Sequence, residues 1–234
     1  MNYKSIKFEA VAPWVLEHTP KPVVAKSTLP DWYKNLIPFA DLSKNNAITK
    51  PLATMKRCQP LLDMYSAGYI LSTWSDIFIG KNQNGHSTYT FEGQIPVITE
   101  HDPQQIGSMP IPSEYETFVW KWTNLWSIQT PKGFSSLIIP PTSEVNPSFR
   151  ILPAIVDTDS PLPPINFPFF LQKGFTGMIP KGTPMAQIIP IKRENWEAEY
   201  VILPEKESLS RFQTLASNLF NSYRIMFHKK KSYR

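Results

Sequence analysis

The chain has 234 residues, 24 prolines, 9 glycines and a formal net charge of +5 at neutral pH. Hydrophobic residues make up 41% of it and aromatic residues 13%, which is enough for a large hydrophobic core. Proline fixes φ and removes a backbone donor, so this proline content favours short strands with rigid connections over long helices. No stretch approaches the ~20 apolar residues of a membrane-spanning helix, and the first ten residues lack the apolar core of a signal peptide. The composition therefore predicts a mainly β protein.

Much of the positive charge lies at the C-terminal end, in Lys229, Lys230, Lys231 and Arg234. Such a tail either contacts nucleic acid or an acidic partner, or is a solvated and frayed terminus, and we expect the second. No dense basic patch precedes it, so nucleic acid contact is expected only through this tail.

Residues with reactive or metal-binding side chains are few. The single cysteine, Cys58, excludes an intramolecular disulfide framework, and we expect an inert thiol. His86, His101 and Asp102 form a loose cluster, but their spacing matches no metal-ligand motif. We expect these three residues in solvent-facing loops and predict no metal site.

The distribution of apolar residues divides the chain into three parts. Residues 1–60 form an extended N-terminal arm rich in proline and aromatic residues, which packs on the body or on a neighbouring subunit. Trp14 and Trp32 are its candidate interface anchors, because tryptophan is enriched in interfaces; packing on their own domain is the alternative. Residues 61–195 form the β body, and residues 196–234 hold a C-terminal amphipathic helix and the basic tail.

The C-terminal helix is predicted from apolar side chains that recur every three or four residues. Phe212 and Leu219 belong to this stripe and are candidate interface residues, on the body or on a neighbouring subunit. Ser208 or Ser210 is expected to cap the helix, because serine side chains accept from free backbone donors at helix starts.

A strong turn signal lies in the first half of the body. The dipeptide Asn84-Gly85 separates two stretches rich in β-branched and aromatic residues, and it predicts a β-hairpin between Phe78-Ile79 and residues 88–91.

The densest aromatic segment contains Trp120, Trp122 and Trp126. Their even spacing predicts that they share one face of a strand. Such a row is either a stacking platform for bases or sugars, or the core face of a sheet. We expect the core face, because apolar residues of period two usually point inward.

A turn and a buried strand are predicted in residues 181–190. Gly182 can supply the positive φ of a tight turn. Gln187 is the one polar side chain in the apolar run that follows, and a buried amide needs hydrogen-bond partners. Gln187 is therefore either a structural tie to neighbouring backbone or a ligand contact.

Four segments resemble, in order, the conserved segments of the dUTPase and dCTP deaminase superfamily: residues 66–79, 130–143, 152–169 and 181–190. They match its AGYDL-type segment, its strand leading to an Arg-Ser turn, its acidic hairpin and its G-D-R-I-A-Q strand. The resemblance spans roughly residues 60–193. It implies a β-clip barrel or distorted jelly roll, and a trimer whose sites lie between subunits.

The resemblance also implies candidate site residues. Asp157 matches the family's water-activating aspartate and Asp159 matches the second acid of the same hairpin, although Asp-Thr-Asp before Ser-Pro is also ordinary turn chemistry. The remaining ligand-binding candidates are Tyr69, Thr142, Ser143 and Gln187.

Departures from the family pattern affect its phosphate and base contacts. Ile70 stands where the family has an acid, Ser160 replaces the uracil-stacking tyrosine, and Thr183-Pro184 replaces Asp-Arg. Pro140 to Ser143 lack the phosphate-binding arginine, and the glycine-rich C-terminal arm has no counterpart. Residues 80–115 are an insertion relative to the matching connection of the family. The resemblance therefore implies the family's fold with its chemistry lost or replaced.

The aromatic segment and the last two segments also resemble uncharacterised proteins of T4-like and other tailed phages. This implies a virion or host-cytoplasmic location. We therefore expect a non-enzymatic structural or interaction protein without a cofactor. Its partners would be further copies of itself, with a trimer favoured, and other virion proteins, but no membrane. The alternative is a nucleotide-binding or nucleotide-hydrolysing protein that uses Asp157 in a modified site, with Mg²⁺ as cofactor.

Overall fold

The structure is a computed structural model that describes residues 4–40, 53–217 and 223–234. Within these residues the chain is mainly β, as predicted, with fourteen strands in four antiparallel sheets and five α-helices. None of the helices in this part is long and apolar enough to cross a membrane.

The strands are β1 Lys7–Ala10, β2 Val23–Val24, β3 Tyr69–Ser72, β4 Ile77–Lys81, β5 Ser87–Phe91, β6 Ile98–Glu100, β7 Trp120–Trp122, β8 Trp126–Gln129, β9 Phe134–Ile139, β10 Phe149–Ile151, β11 Ala154–Val156, β12 Phe167–Leu171, β13 Gly177–Ile179 and β14 Pro184–Lys192. The helices are α1 Pro13–His18, α2 Asp31–Asn35, α3 Gln59–Tyr65, α4 Pro103–Ile106 and α5 Glu205–Ser217.

One hydrophobic core joins the sheets. The largest sheet has the order β11-β9-β14-β3-β2, the second β10-β12-β7-β6 and the third β13-β4-β5, while β1 pairs with β8. Each contributes buried side chains to the same cluster: Leu71, Ile138 and Ile188; Trp120, Trp122 and Phe169; Ile77, Ile79 and Ile179; and Ile128.

The predicted barrel is not closed in the described part of the chain. The strands there form separate sheets with free edges. Most strands are short, and β14 is the longest, pairing with β3 up to Ile188 and with β9 up to Lys192. Prolines lie within this strand and within β12, where each removes one backbone donor.

Local predictions in the body are confirmed. The strands β4 and β5 form the expected hairpin, with Gly85 at a φ of +78° in its turn. Trp120, Trp122 and Trp126 are all buried in the core, so they form no stacking platform. Trp126 nevertheless lies in a separate strand from the other two.

The described N-terminal residues pack on the rest of the same chain. β1 and β2 join sheets of the body, and Val15 and Ala25 are fully buried. The ring of Trp14 lies against Trp74, with 6.3 Å between ring centroids. Trp32 is 52% exposed and touches two tyrosines of its own chain.

The C-terminal helix begins earlier than predicted. α5 begins at Glu205, where Glu207 and Ser208 donate to the carbonyl of Pro204, so the expected Ser208 or Ser210 cap is wrong. Before α5, residues 194–204 (the exposed arm) have no regular structure and expose every side chain. Phe212 is 71% exposed, while Leu219 lies outside the described residues.

Candidate functional site

The six candidate ligand-binding residues all lie on or beside the five-stranded sheet. Five of them fall into two groups along β14 and β9, and Tyr69 lies apart from both on β3. Gln187 and Thr142 meet where β9 ends, whereas Asp157 and Asp159 meet Arg193 just beyond the end of β14. Six residues of strand separate Gln187 from Arg193, which corresponds to roughly 20 Å at about 3.3 Å per residue. The two groups therefore do not form one small-molecule site.

The two aspartates surround Arg193. Its guanidinium lies 3.2 Å from the Asp157 carboxylate and 3.0 Å from Oδ1 of Asp159. Asp159 also accepts from the backbone N–H of Gly133 at 2.9 Å, and Asp157 accepts from the Ser135 hydroxyl at 2.6 Å. The carboxylates thus tie the end of β14 to the turn before β9.

This arrangement lowers the basicity of both carboxylates. The Ser135 hydrogen bond, followed by the charge of Arg193, holds the pKa of Asp157 below its ordinary value. Hydrogen bonds from Arg193 and from the Gly133 backbone hold the pKa of Asp159 at about 2. A general base works best with a pKa near the operating pH, so these contacts disfavour the predicted role of Asp157 as a base.

Asp159→Asn is expected to lower stability at pH 7, with the difference from wild type shrinking in acid. The folded pKa of about 2 is below the ~3.9 of an unfolded aspartate. A depressed pKa contributes stability that is present above the unfolded value and is lost as the pH falls through the folded value. Denaturant unfolding of both proteins from neutral pH towards about pH 2.5 measures this.

The control for that comparison is Asp31→Asn, which removes an exposed carboxylate paired only with Lys34 three residues away among the ion pairs described. It should produce a much smaller change at neutral pH. A constant difference between wild type and Asp159→Asn across the whole pH range would contradict the proposed tie.

Gln187 is 1% exposed, and its amide is fully used by the protein. Its Oε1 accepts from the backbone N–H and the hydroxyl of Thr142, at 3.0 and 2.9 Å. Its Nε2 donates to the carbonyls of Met64 and Ala67, at 3.0 and 2.7 Å. Ser143 is buried beside this network. Gln187 was predicted to be either a structural tie or a ligand contact, and these hydrogen bonds are those of a structural tie.

Tyr69 lines a cavity of about 520 Å³ beside Pro190 of β14. Its hydroxyl donates to the carbonyl of Arg234 at 3.1 Å, and its ring lies edge-on to Tyr233. The other residues lining the cavity include Lys4 and Phe134. The C-terminal residues therefore contribute one wall of this cavity.

A charged cluster that the sequence did not reveal holds the tail. Asp63 on α3 accepts from Lys231 Nζ at 2.6 Å and from Gln59 at 3.0 Å, and it lies 3.1 Å from His228 Nε2. Burial raises the pKa of Asp63, but these partners outweigh it and hold the pKa below its ordinary value. The predicted frayed tail is thus docked on the body through residues more than 160 positions away in sequence.

The predicted loop residues show no metal-binding arrangement. His101 Nδ1 lies 3.3 Å from Gln105, and Asp102 caps α4. His86 is exposed in the β4–β5 turn. Across the described residues, no three side chains of histidine, cysteine, aspartate or glutamate converge as a metal site would require. Cys58 is half-buried at the start of α3.

Comparisons of the chain with protein-family models, with curated proteins and with solved structures found no match.

Proposed function

We propose that this chain is a non-enzymatic structural or interaction protein of a phage particle, built on a dUTPase-like β-clip fold. The ordered resemblance of four segments to that superfamily, and of the aromatic segment to phage proteins, supports the fold and the origin. The polar residues that match the family's site support the loss of its chemistry, because their polar groups already bond within the protein. Gln187 bonds Thr142 and the backbone, and Asp157 and Asp159 pair with Arg193.

The observation that carries the proposal is the exposed arm. Trp196 is 87% exposed, Tyr200 94% and Ile202 97%. Large apolar side chains clustered on a surface mark sites of macromolecular contact, whereas single exposed ones are common. Phe212 of α5 is a further exposed aromatic side chain. We therefore assign the binding role to residues 194–217, which comprise the arm and α5.

The test is the amount of this protein in purified phage particles, measured by quantitative mass spectrometry. The wild type should be present at a fixed copy number. The double variant Trp196→Ser and Ile202→Ser should reduce that number at least about tenfold, because a loss of ~1.4 kcal/mol of binding free energy already weakens an interface tenfold. Val145→Ser is the matched control, because Val145 is 89% exposed but lies in the body. Absence of the wild type from particles would overturn the virion role.

The cavity beside Tyr69 favours the alternative of nucleotide binding. Its volume of about 520 Å³ falls in the range of small-molecule sites, and it combines Tyr69 and Phe134 with the cation of Lys4. A ligand that binds only the folded chain must raise the melting temperature. Thermal melting with nucleoside mono- and triphosphates, with and without Mg²⁺, tests this. A shift lost in Tyr69→Ala would locate the nucleotide in this cavity, and a shift lost in Asp157→Asn would locate it at the aspartates. Either result would support the alternative, and no shift would reject it.

A further inference from the structure

The exposed arm and the C-terminal tail carry opposite charges. The arm, residues 194–204, contains three glutamates and no lysine or arginine. Residues 223–234 contain five lysines and arginines and no acidic residue. Two segments of the same chain are thus electrostatically complementary.

Both segments also expose apolar side chains. In the arm these are Trp196, Tyr200 and Ile202. In the helical turn Tyr223–Phe227, which precedes the tail, Ile225 is 75% exposed, and Met226 and Phe227 are about half exposed. Each segment therefore has an apolar surface bordered by charge, the combination found at the core and rim of protein interfaces.

Four of these charges take part in none of the ion pairs described within one copy: Glu197, Glu199, Lys229 and Lys230. The described pairs of these regions join Lys192 to Glu194, Arg211 to Glu207, and both His228 and Lys231 to Asp63. The arm leaves the body where Arg193 is held by two aspartates, and the tail returns to it at Asp63. Both segments are therefore anchored at the body while their outer surfaces lie open.

We infer that the arm of one copy binds the turn and tail, residues 223–230, of a second copy of this chain. Glu197 and Glu199 would face Lys229 and Lys230 of the neighbour, around an apolar centre. Trp196 and Tyr200 alone can bury roughly 300–500 Å², so the whole arm approaches the ~800 Å² per partner of a standard interface. This inference rests on the proposed role of the arm as a binding element.

A contact of this kind is heterologous, because the two surfaces that meet are different. Repeated heterologous contacts close into a ring if the rotation between copies allows it, and otherwise form a chain of copies. Each copy would both give an arm and receive one, so loss of either surface would prevent assembly.

Charge reversal tests the inference. Light scattering after size exclusion, over a concentration series, gives the oligomeric state of the full chain. Glu197→Lys with Glu199→Lys, and separately Lys229→Glu with Lys230→Glu, should each weaken association at least about tenfold, because like charges then face each other across the contact. Mixing the two variants should restore association, since each then offers the surface that the other needs.

The matched control reverses Lys132 and Lys173, two exposed lysines of the body, and should leave association unchanged. Restoration by mixing requires contact between copies, so a contact of the arm with the tail of its own chain would not produce it. A wild type that stays monomeric at all concentrations, or association that neither reversal changes, would overturn the inference. If a monomeric wild type still needs Trp196 and Ile202 to enter particles, the proposed function stands and the partner is another particle protein.

Discussion

Replacing Gly68 by alanine should destabilise the protein by more than about 3 kcal/mol. Gly68 has a φ of +70°, and a Cβ at this position would lie 1.9 Å from the carbonyl oxygen of Ile188. That oxygen belongs to β14, which pairs with β3 directly after Gly68. Since backbone cannot move aside as a flexible side chain can, the two strands would have to separate. Denaturant unfolding followed by tryptophan fluorescence measures the loss.

Gly182→Ala is the matched control for this prediction. Gly182 has a φ of +88°, but a Cβ there would meet no atom within 4 Å. The substitution should therefore cost only the strain of a left-handed backbone, about 1–2 kcal/mol, because no steric overlap is added. Equal losses for the two variants would show that the close approach of Gly68 to β14 is not the cause.

Gln187→Leu is expected to cost about 2–4 kcal/mol, because it removes the hydrogen bonds of a buried amide to the surrounding backbone. The carbonyl of Ala67 loses the Gln187 donor and the N–H of Thr142 loses its acceptor, while the carbonyl of Met64 loses one donor and keeps the N–H of Ala67. Urea unfolding of the purified protein gives the change in the free energy of unfolding.

Two comparisons sharpen that test. Gln94→Leu makes the same chemical change at an exposed position and should fall within about 0.5 kcal/mol of wild type. Gln187→Glu keeps an acceptor for Thr142 but removes the two donors, so its effect should also be large. If Gln187→Leu were as stable as wild type, the amide would be available to a ligand and the structural tie would be rejected.

Features set by close sequence neighbours were predictable. The Asn84-Gly85 turn, the buried tryptophans of β7 and the buried run of β14 each follow from local backbone preference or from alternation along a strand. The start of α5 was predicted too late in the chain. The helix begins directly after Pro204, whose carbonyl accepts its first backbone hydrogen bonds, whereas a serine further along was expected as the cap.

Features set by sheet register were not predictable. Asp157 and Asp159 meet Arg193 because β9 pairs with both β11 and β14, which aligns residues more than 30 positions apart. The family resemblance gave the aspartates as a candidate site without their arginine. A helix in this region was predicted correctly, but its apolar pattern does not say what covers Phe212, which is 71% exposed.

The docking of the tail could be followed without changing any residue that takes part in it. The sequence has one cysteine, Cys58, and it immediately precedes α3, which carries Asp63. Five residues of helix span roughly 8 Å along the axis. A thiol-reactive fluorophore on Cys58 would thus report departure of Lys231 and His228 from Asp63 in real time. Because the sequence has a single thiol, the label would attach at one known position without any substitution.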